Sequence, residues 1–472
     1  MSDTLSVRNP YSGKFDYSLT EPSADDVTVA CARLRSNQPA WARRSLAERL
    51  AVLEQFSACL AGHREALVAA LTNDTGRSTV SAMEIDALGG FIQRTAAEAS
   101  AALDTGLHRQ AQIPIIEGSA HRVPYGLVGN ISPWNFPVIL SFLDTFAALI
   151  SGNAVVIKPS EVTPRWVEPL RAALAECPEL AAVLDIVVGG GATGAAIVGH
   201  VDAVVFTGSV ATGRKVAVAA AENFIPAFLE LGGKDPAVVL ESADIDLAAR
   251  TTAFCSVQSA GQACQSLERI YVARKHYDRF VEQAIATAES LQINYPDIAE
   301  GVVGPFIFEP QAAIVMQQLA AAKGQGAQIH CGGELLNHGG FWMRPTVVTD
   351  VDHSMQLMQE ETFGPVMPIM PFDTPEEAIS LANDSQYGLS AAVFAGSIDE
   401  GQAVAAQIRA GAVSVNDAAL TVLIHEFEHQ SFGYSGLGAG RAGASAYTRF
   451  TREQSIMTNT AGQPVLPGLL GS

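Results

Sequence analysis

The stretch Ala203–Gly213 reads AVVFTGSVATG and carries no charged residue. Ala203–Thr207 suits a buried strand, Gly208-Ser209 a tight turn, and the residues beyond it the opening of a helix. Free N–H groups at such a helix start favour phosphate, and glycine lets the backbone approach it closely. The texture recurs on either side. The β-branched runs Asn153–Lys158, Leu184–Val188 and Pro236–Leu240 are each followed by a helical stretch. Strands alternating with helices predict an α/β fold with a parallel, doubly wound sheet. A second alternation from Ser266 to Val415 predicts a second α/β domain. Upstream, Ala24–Leu71 has apolar residues at three- and four-residue spacing, which predicts consecutive amphipathic helices.

With 472 residues the chain suits two or three domains, and nearly half of it is apolar. Its 29 basic and 49 acidic residues give a net charge of −20, which argues against nucleic acid or an anionic membrane as partner. The longest apolar stretch, Phe136–Ile157, is broken by Asp144, Ser151, Gly152 and Asn153, so a buried helix followed by a strand is expected rather than a membrane span. The N-terminus lacks the pattern of a secretory signal, and the six cysteines include no CxxC pair. Reduced thiols in a cytoplasmic protein are the simplest reading. The Gly-rich segment Gly433–Gly443 reads as a loop, and the Pro- and Gly-bearing tail after Thr458 as an irregular end.

Three motifs invite chemistry. Gly189–Gly194 matches GxGxxG after a strand, but no acidic residue lies near twenty positions downstream, so a turn is the better reading. His425–His429 matches HExxH, which on a helix would place two zinc ligands on one face, with Glu426 as base and Glu453 as a possible third ligand. No Gly-x-x-His completes the longer zinc pattern, and a partly exposed His- and Glu-rich loop is expected, with no metal. The third is Cys264 in Ser259–Cys264, SAGQAC. Most cysteines are inert fillers, so this one needs company. Glu230 supplies it: a glutamate at an apolar strand end before Gly232-Gly233 fits no solvated surface. Buried there with a raised pKa, it would serve as a general base.

Taken in order, these residues resemble the aldehyde dehydrogenase superfamily along nearly the whole chain. The resemblance runs through Asn9-Pro10, Pro39-Ala40-Trp41, Pro133–Pro137 (PWNFP), Lys158–Glu161 (KPSE), Phe206–Ser209 (FTGS) and Leu229–Lys234 (LELGGK). It continues in Gly261–Cys264 (GQAC), Glu361–Pro365 (ETFGP), Asn416 and Ser435–Gly438 (SGLG). The separations agree too, 34 residues from Glu230 to Cys264 and 97 from Cys264 to Glu361.

The resemblance implies a mechanism. Cys264 would attack the aldehyde carbon, and the Asn135 amide and the Cys264 backbone N–H would hold the oxyanion. Hydride transfer would leave a thioester, which water activated by Glu230 would hydrolyse. Because Glu230 is present, a hydrolytic enzyme is implied rather than an acylating, coenzyme A-dependent one. For the cofactor, Gly208-Ser209 would meet the pyrophosphate, Lys158 and Glu161 the adenosine ribose, and Glu361 the nicotinamide ribose. Trp134 and Phe363 would wall the site. A carboxylate at Glu161 favours NAD over NADP, though Lys158 could soften its repulsion of a 2′-phosphate.

Departures bear on the substrate. Many relatives have lysine where Asp144 stands and glutamate where Gly440 stands, so a proton relay through those positions is not expected. The 95 residues from Asn135 to Glu230 are similar to the branch acting on fatty and aromatic aldehydes. Phe136, Leu140, Leu143 and Phe427 would line an apolar tunnel, so the expected substrate is a hydrophobic aldehyde, aromatic or medium to long aliphatic. A semialdehyde is the alternative, and a zinc peptidase built on His425 and His429 the remoter one. The implied fold is aldehyde dehydrogenase-like. It has a Rossmann-type NAD-binding domain (1–108 and 124–232), an α/β catalytic domain (233–434) and a small β oligomerisation element (109–123 and 446–460). Such an element joins a neighbouring subunit, which implies a homodimer or homotetramer.

Overall fold

The computed structural model describes residues 4–104, 108–462 and 465. The apolar periodicity over Ala24–Leu71 becomes the helices Ala24–Ala42, Leu46–Gly62 and Arg64–Thr75, and a further helix, Ser78–Leu103, follows them. Two parallel sheets follow. The first contains β1 (Leu127–Ile131), β2 (Ala154–Lys158), β3 (Leu184–Ile186), β4 (Ala203–Thr207) and β5 (Ala227–Glu230). β1, β2 and β4 are buried at every position, as strands covered by helices on both faces must be. The order is β5-β4-β1-β2-β3. The chain thus steps outward from β1 to β3 and returns to the other side of β1 for β4 and β5. The reversal opens a crevice at the carboxyl ends of β1 and β4, where doubly wound sheets bind ligands.

Between β1 and β2 lies α1 (Pro137–Ile150), the buried helix expected from Phe136–Ile157. Pro137 opens it, and the buried Glu84 carboxylate accepts the Val138 and Ile139 N–H groups at 3.1 and 3.2 Å. After β4 the turn expected at Gly208-Ser209 leads into α2 (Val210–Glu222), with Ser209 as N-cap.

The second sheet has seven strands. They are β6 (Asp235–Val239), β7 (Leu267–Ala273), β8 (Gln328–Cys331), β9 (Thr346–Thr349), β10 (Val366–Phe372), β11 (Ser390–Phe394) and β12 (Ala412–Val415), in the order β8-β9-β10-β7-β6-β11-β12. Only β8 runs antiparallel to its neighbour. A third, three-stranded antiparallel sheet joins His108–Gln110, Ile116–Pro124 and Thr451–Asn459.

Two expectations change. Within the Gly-rich segment, Gly436–Leu437 forms a short strand, β13, antiparallel to Leu229–Glu230 at the edge of the first sheet. The tail after Thr458 continues as strand to Asn459, and beyond Gly462 only Val465 lies within the described residues. None of the described helices is long and apolar enough to cross a membrane.

Candidate active site

Cys264 sits between the two sheets, on the loop from helix Ile245–Val257 to β7. Three consecutive residues of that loop have left-handed backbone: Ser259 (φ 56°), Ala260 (φ 57°) and Gly261 (φ 68°). Such conformations cost non-glycine residues ~1–3 kcal/mol each and persist only where the surroundings enforce them. Gly261 has no alternative, since a Cβ there would lie 2.1 Å from the Gly364 carbonyl oxygen. Gln262 enforces the turn from within the core. Its amide donates to the Ser259 and Pro305 carbonyls at 3.1 and 3.0 Å and accepts from the Ile307 N–H at 2.9 Å.

Asn135 crosses from the first sheet to this loop. Its Nδ2 donates to the Gln262 carbonyl at 2.9 Å, two residues before Cys264. On the far side the Asn135 carbonyl accepts from Arg77, whose guanidinium lies 5.0 Å over the Phe136 ring and 3.9 Å from buried Glu84. Arg77 and Glu84 escaped the sequence reading, because neither sits in a motif of its own.

Glu230 ends β5, paired in register with Thr207 at the end of β4. Past it, Gly232 clears space for Glu361: a Cβ there would lie 2.3 Å from the Glu361 carboxylate, which accepts the Gly233 N–H at 3.0 Å, and a Cβ on Gly233 would lie 2.5 Å from the Cys264 carbonyl oxygen. Lys234 turns inward to the Glu268 carboxylate at 2.8 Å and Thr362 Oγ1 at 2.9 Å. Glu268 in turn takes the Thr362 and Phe363 N–H groups, both at 2.7 Å. Burial, with Glu268 alongside, pushes Glu361 up to about 8.

Burial pushes the Cys264 thiol up to about 12; Arg441 opposes the shift, while Glu361, Asp235 and Glu230 add to it. The thiolate is the reactive form, so a raised pKa keeps the ligand-free thiol protonated at neutral pH. Site-resolved alkylation of Cys264 by iodoacetamide is expected to be slow at pH 7 and to rise about tenfold per pH unit up to about pH 10. A plateau near pH 8 would show that burial does not govern this thiol.

The cofactor-side residues gather at the crevice. Ser209 stands exposed at the N-terminus of α2, its Oγ accepting the Thr212 N–H at 3.3 Å. Gly208 approaches closely, since a Cβ there would meet the Phe206 ring at 2.6 Å. At the end of β2, Lys158 Nζ lies 2.7 Å from Glu161. The Trp134 and Phe363 rings meet edge to face at 5.5 Å. An exposed helix start beside a glycine, next to a Lys–Glu pair, fits a dinucleotide's pyrophosphate and ribose. The GxGxxG stretch, expected as a turn, is one only at Gly189-Gly190: Gly191–Gly194 open the helix Gly191–Val198, and the Gly190 N–H donates to the Glu21 carboxylate.

Of the tunnel candidates, Phe136, Leu140 and Leu143 share one side of α1, whereas Phe427 is 75% exposed in the loop after Leu420–Leu423. The HExxH stretch is not helical. His425 O accepts from Gly443, Gly440 packs against the His429 carbonyl, and Glu428 takes the Ser445 N–H and hydroxyl. The glycine-rich segment therefore holds the stretch as a bent, irregular loop, and the two histidines do not share a helix face. Among the described residues no group of three or more His, Cys, Asp or Glu side chains is placed to hold a metal ion.

Arg441 was also missed. Its Nη2 donates to Thr207 Oγ1 at 2.6 Å and lies 3.3 Å from Asp144, and its Nε lies 3.7 Å from Glu230. Asp144 also pairs with fully buried Arg449. The available signal was Asp144 itself, a lone charge in an otherwise uncharged, buried helix, which requires a cation.

A dinucleotide-type crevice facing a second α/β layer across a strained cysteine loop is the layout of an NAD(P)-dependent oxidoreductase. The sequence matches the aldehyde dehydrogenase family over residues 1–456, and the chain belongs to that family. It is 35% identical to the "Putative succinate-semialdehyde dehydrogenase" (NADP+) of Mycolicibacterium smegmatis over 459 residues, 96% of this chain and 88% of that one. Among solved structures it is similar to "Putative Aldehyde Dehydrogenase PutA" from Anabaena variabilis, with 50% identity, TM-score 0.96, and coverage of 98% of this chain and 99% of that one. It is also similar to a Mycobacterium tuberculosis aldehyde dehydrogenase solved with NAD+, at 32% identity and TM-score 0.91, covering 98% and 96%. The protein is thus an NAD(P)-dependent oxidoreductase acting on aldehydes.

Proposed function

We propose that the protein oxidises a hydrophobic aldehyde, aromatic or medium to long aliphatic, to its carboxylic acid. The Cys264 thiol gives up its proton to water as its sulfur attacks the carbonyl carbon, and the Asn135 amide with the Cys264 N–H holds the oxyanion. Gly208, Ser209, Lys158, Glu161 and Glu361 would hold NAD, which would supply the hydride acceptor that turns the thiohemiacetal into the thioester. Glu230 then removes a proton from the water that cleaves the thioester, releasing the acid and restoring the thiol. One observation carries the substrate class: in α1 only Ile139, Leu140 and Leu143 escape full burial. They follow Phe136 at helical spacing and form an apolar stripe leading from Asn135.

NADH formation with hexanal, benzaldehyde and succinate semialdehyde tests this. At least tenfold higher kcat/KM for hexanal or benzaldehyde is expected. Preference for succinate semialdehyde would overturn the apolar reading in favour of the second one. Two observations favour that second reading: the relatives' names, and the Arg94 guanidinium 5.0 Å over the Phe91 ring, which in turn edges His425. It also remains the reading under which NADP use would be expected. For the apolar reading NAD is proposed, because the Glu161 carboxylate at the end of β2 would repel a 2′-phosphate.

The sheets support dividing the chain into an NAD-binding domain (1–108 and 124–232), a catalytic domain (233–434) and an oligomerisation element (109–123 and 446–460). A homodimer or homotetramer follows, since Thr451–Asn459 is an edge strand with Ile456 and Met457 exposed, and β12 is an edge of the seven-stranded sheet. Six unpaired cysteines suit a cytoplasmic setting.

A further inference from the structure

We propose that Arg441 is a positioning residue for the thioester-hydrolysing base: anchored on Thr207 and Asp144, its guanidinium holds Glu230 in place as a carboxylate beside Cys264. This rests on the reading of Glu230 as that base. Arg441 bridges the ends of two adjacent strands, since Thr207 and Glu230 are register partners on β4 and β5. The Arg441 side chain is 12% exposed, Glu230 16% and Asp144 2%, so water screens these charges little. Arg441 Nε, the atom facing Glu230 at 3.7 Å, is buried and makes no hydrogen bond among the described residues. It is a donor held ready for a carboxylate that closes in by less than an ångström, or for a water between them.

The local chain dictates that the cation comes from this position. A Cβ on Gly440 would lie 1.9 Å from the His429 carbonyl oxygen, so the backbone admits no side chain there. Asp144 places an anion on the helix side, and Arg449 helps balance it. The pair beside the base is therefore an acid on α1 and a base after β13. The same guanidinium acts on the nucleophile, where it opposes the shift that burial imposes on the Cys264 thiol. Asp144, Glu230 and Cys264 in turn support the charge of Arg441 against its burial.

Removing a neighbouring cation raises a carboxylate's pKa, and a base works above its pKa. Loss of Arg441 is therefore expected to move the acid limb of thioester hydrolysis to higher pH. The probe is 4-nitrophenyl acetate: the Cys264 thiolate attacks the ester carbonyl, nitrophenolate leaves, and water converts the acetyl thioester to acetate and thiol. Decay of the acetyl-enzyme is followed by intact-mass spectrometry from pH 5.5 to 9. R441M is expected to slow decay about tenfold at pH 7 and to shift the acid limb up by about one pH unit. R441K keeps the charge and is expected to return the limb towards its original place, which a purely structural role would not predict. T207V, which removes one of the two anchors and leaves the guanidinium in place, guards against misfolding of R441M and is expected to give a smaller shift in the same direction. E230Q separates the two readings. If E230Q decays as fast as the unaltered protein, the base assignment falls and the role of Arg441 with it. If E230Q is slow while R441M or T207V keeps the original limb, only the proposal for Arg441 is overturned.

Discussion

Cys264→Ala is expected to abolish NADH formation with every aldehyde the unaltered protein oxidises, a loss on the order of 10⁴-fold or more. Without the sulfur no thiohemiacetal forms, and hydride has no tetrahedral carbon to leave. The change removes a single sulfur atom, so it opens little cavity. The melting temperature is expected to stay within a few degrees, which separates lost chemistry from lost fold. Cys31 and Cys255, pushed up to about 11 by burial, serve as controls, and their replacement by serine is expected to leave turnover intact. A Cys264→Ala variant retaining a hundredth of the original rate would remove the cysteine from the mechanism.

Glu230→Gln is expected to divide the reaction in two. Glutamine keeps the shape of the side chain but takes up no proton, so the acyl group would form and then wait. One NADH per subunit should appear rapidly, followed by a steady rate lower by about 10²–10⁴-fold. Hydroxylamine, a nucleophile that needs no base, should release the acyl group as a hydroxamate and restore turnover. An undiminished steady rate in Glu230→Gln would mean that water is activated elsewhere.

The doubly wound sheet was legible because its determinants are local. β4 is an uncharged five-residue run, and the glycine and serine after it cap a helix as their chemistry dictates. Asn135, Glu230, Glu361 and Cys264 were legible as candidates for another reason: each stands in a motif of unusual composition, within three residues of a glycine or proline. The residues holding them were not. Arg77 reaches Asn135 across 58 positions and Arg441 reaches Glu230 across more than two hundred, so only folding brings them together. HExxH misleads in the opposite direction, because its letters suit a helix that the contacts of Gly440 and Gly443 forbid.

The short strand β13 has a bearing on biosynthesis. Glu230 ends a strand whose outer edge is covered only when Gly436 pairs with it, 206 residues later in the chain. At ~5–20 residues per second the ribosome takes roughly 10–40 s to deliver that cover, and the tunnel exit delays it further. Throughout that interval β5 presents unpaired backbone groups, the kind of edge on which nascent chains stick to one another. Arg441 emerges just after β13, so the carboxylate at residue 230 acquires its counter-charge in the same late event that seals the sheet. A chain truncated before residue 436 would leave translation with its first sheet open and prone to aggregate, even though every strand of its nucleotide crevice had already been made.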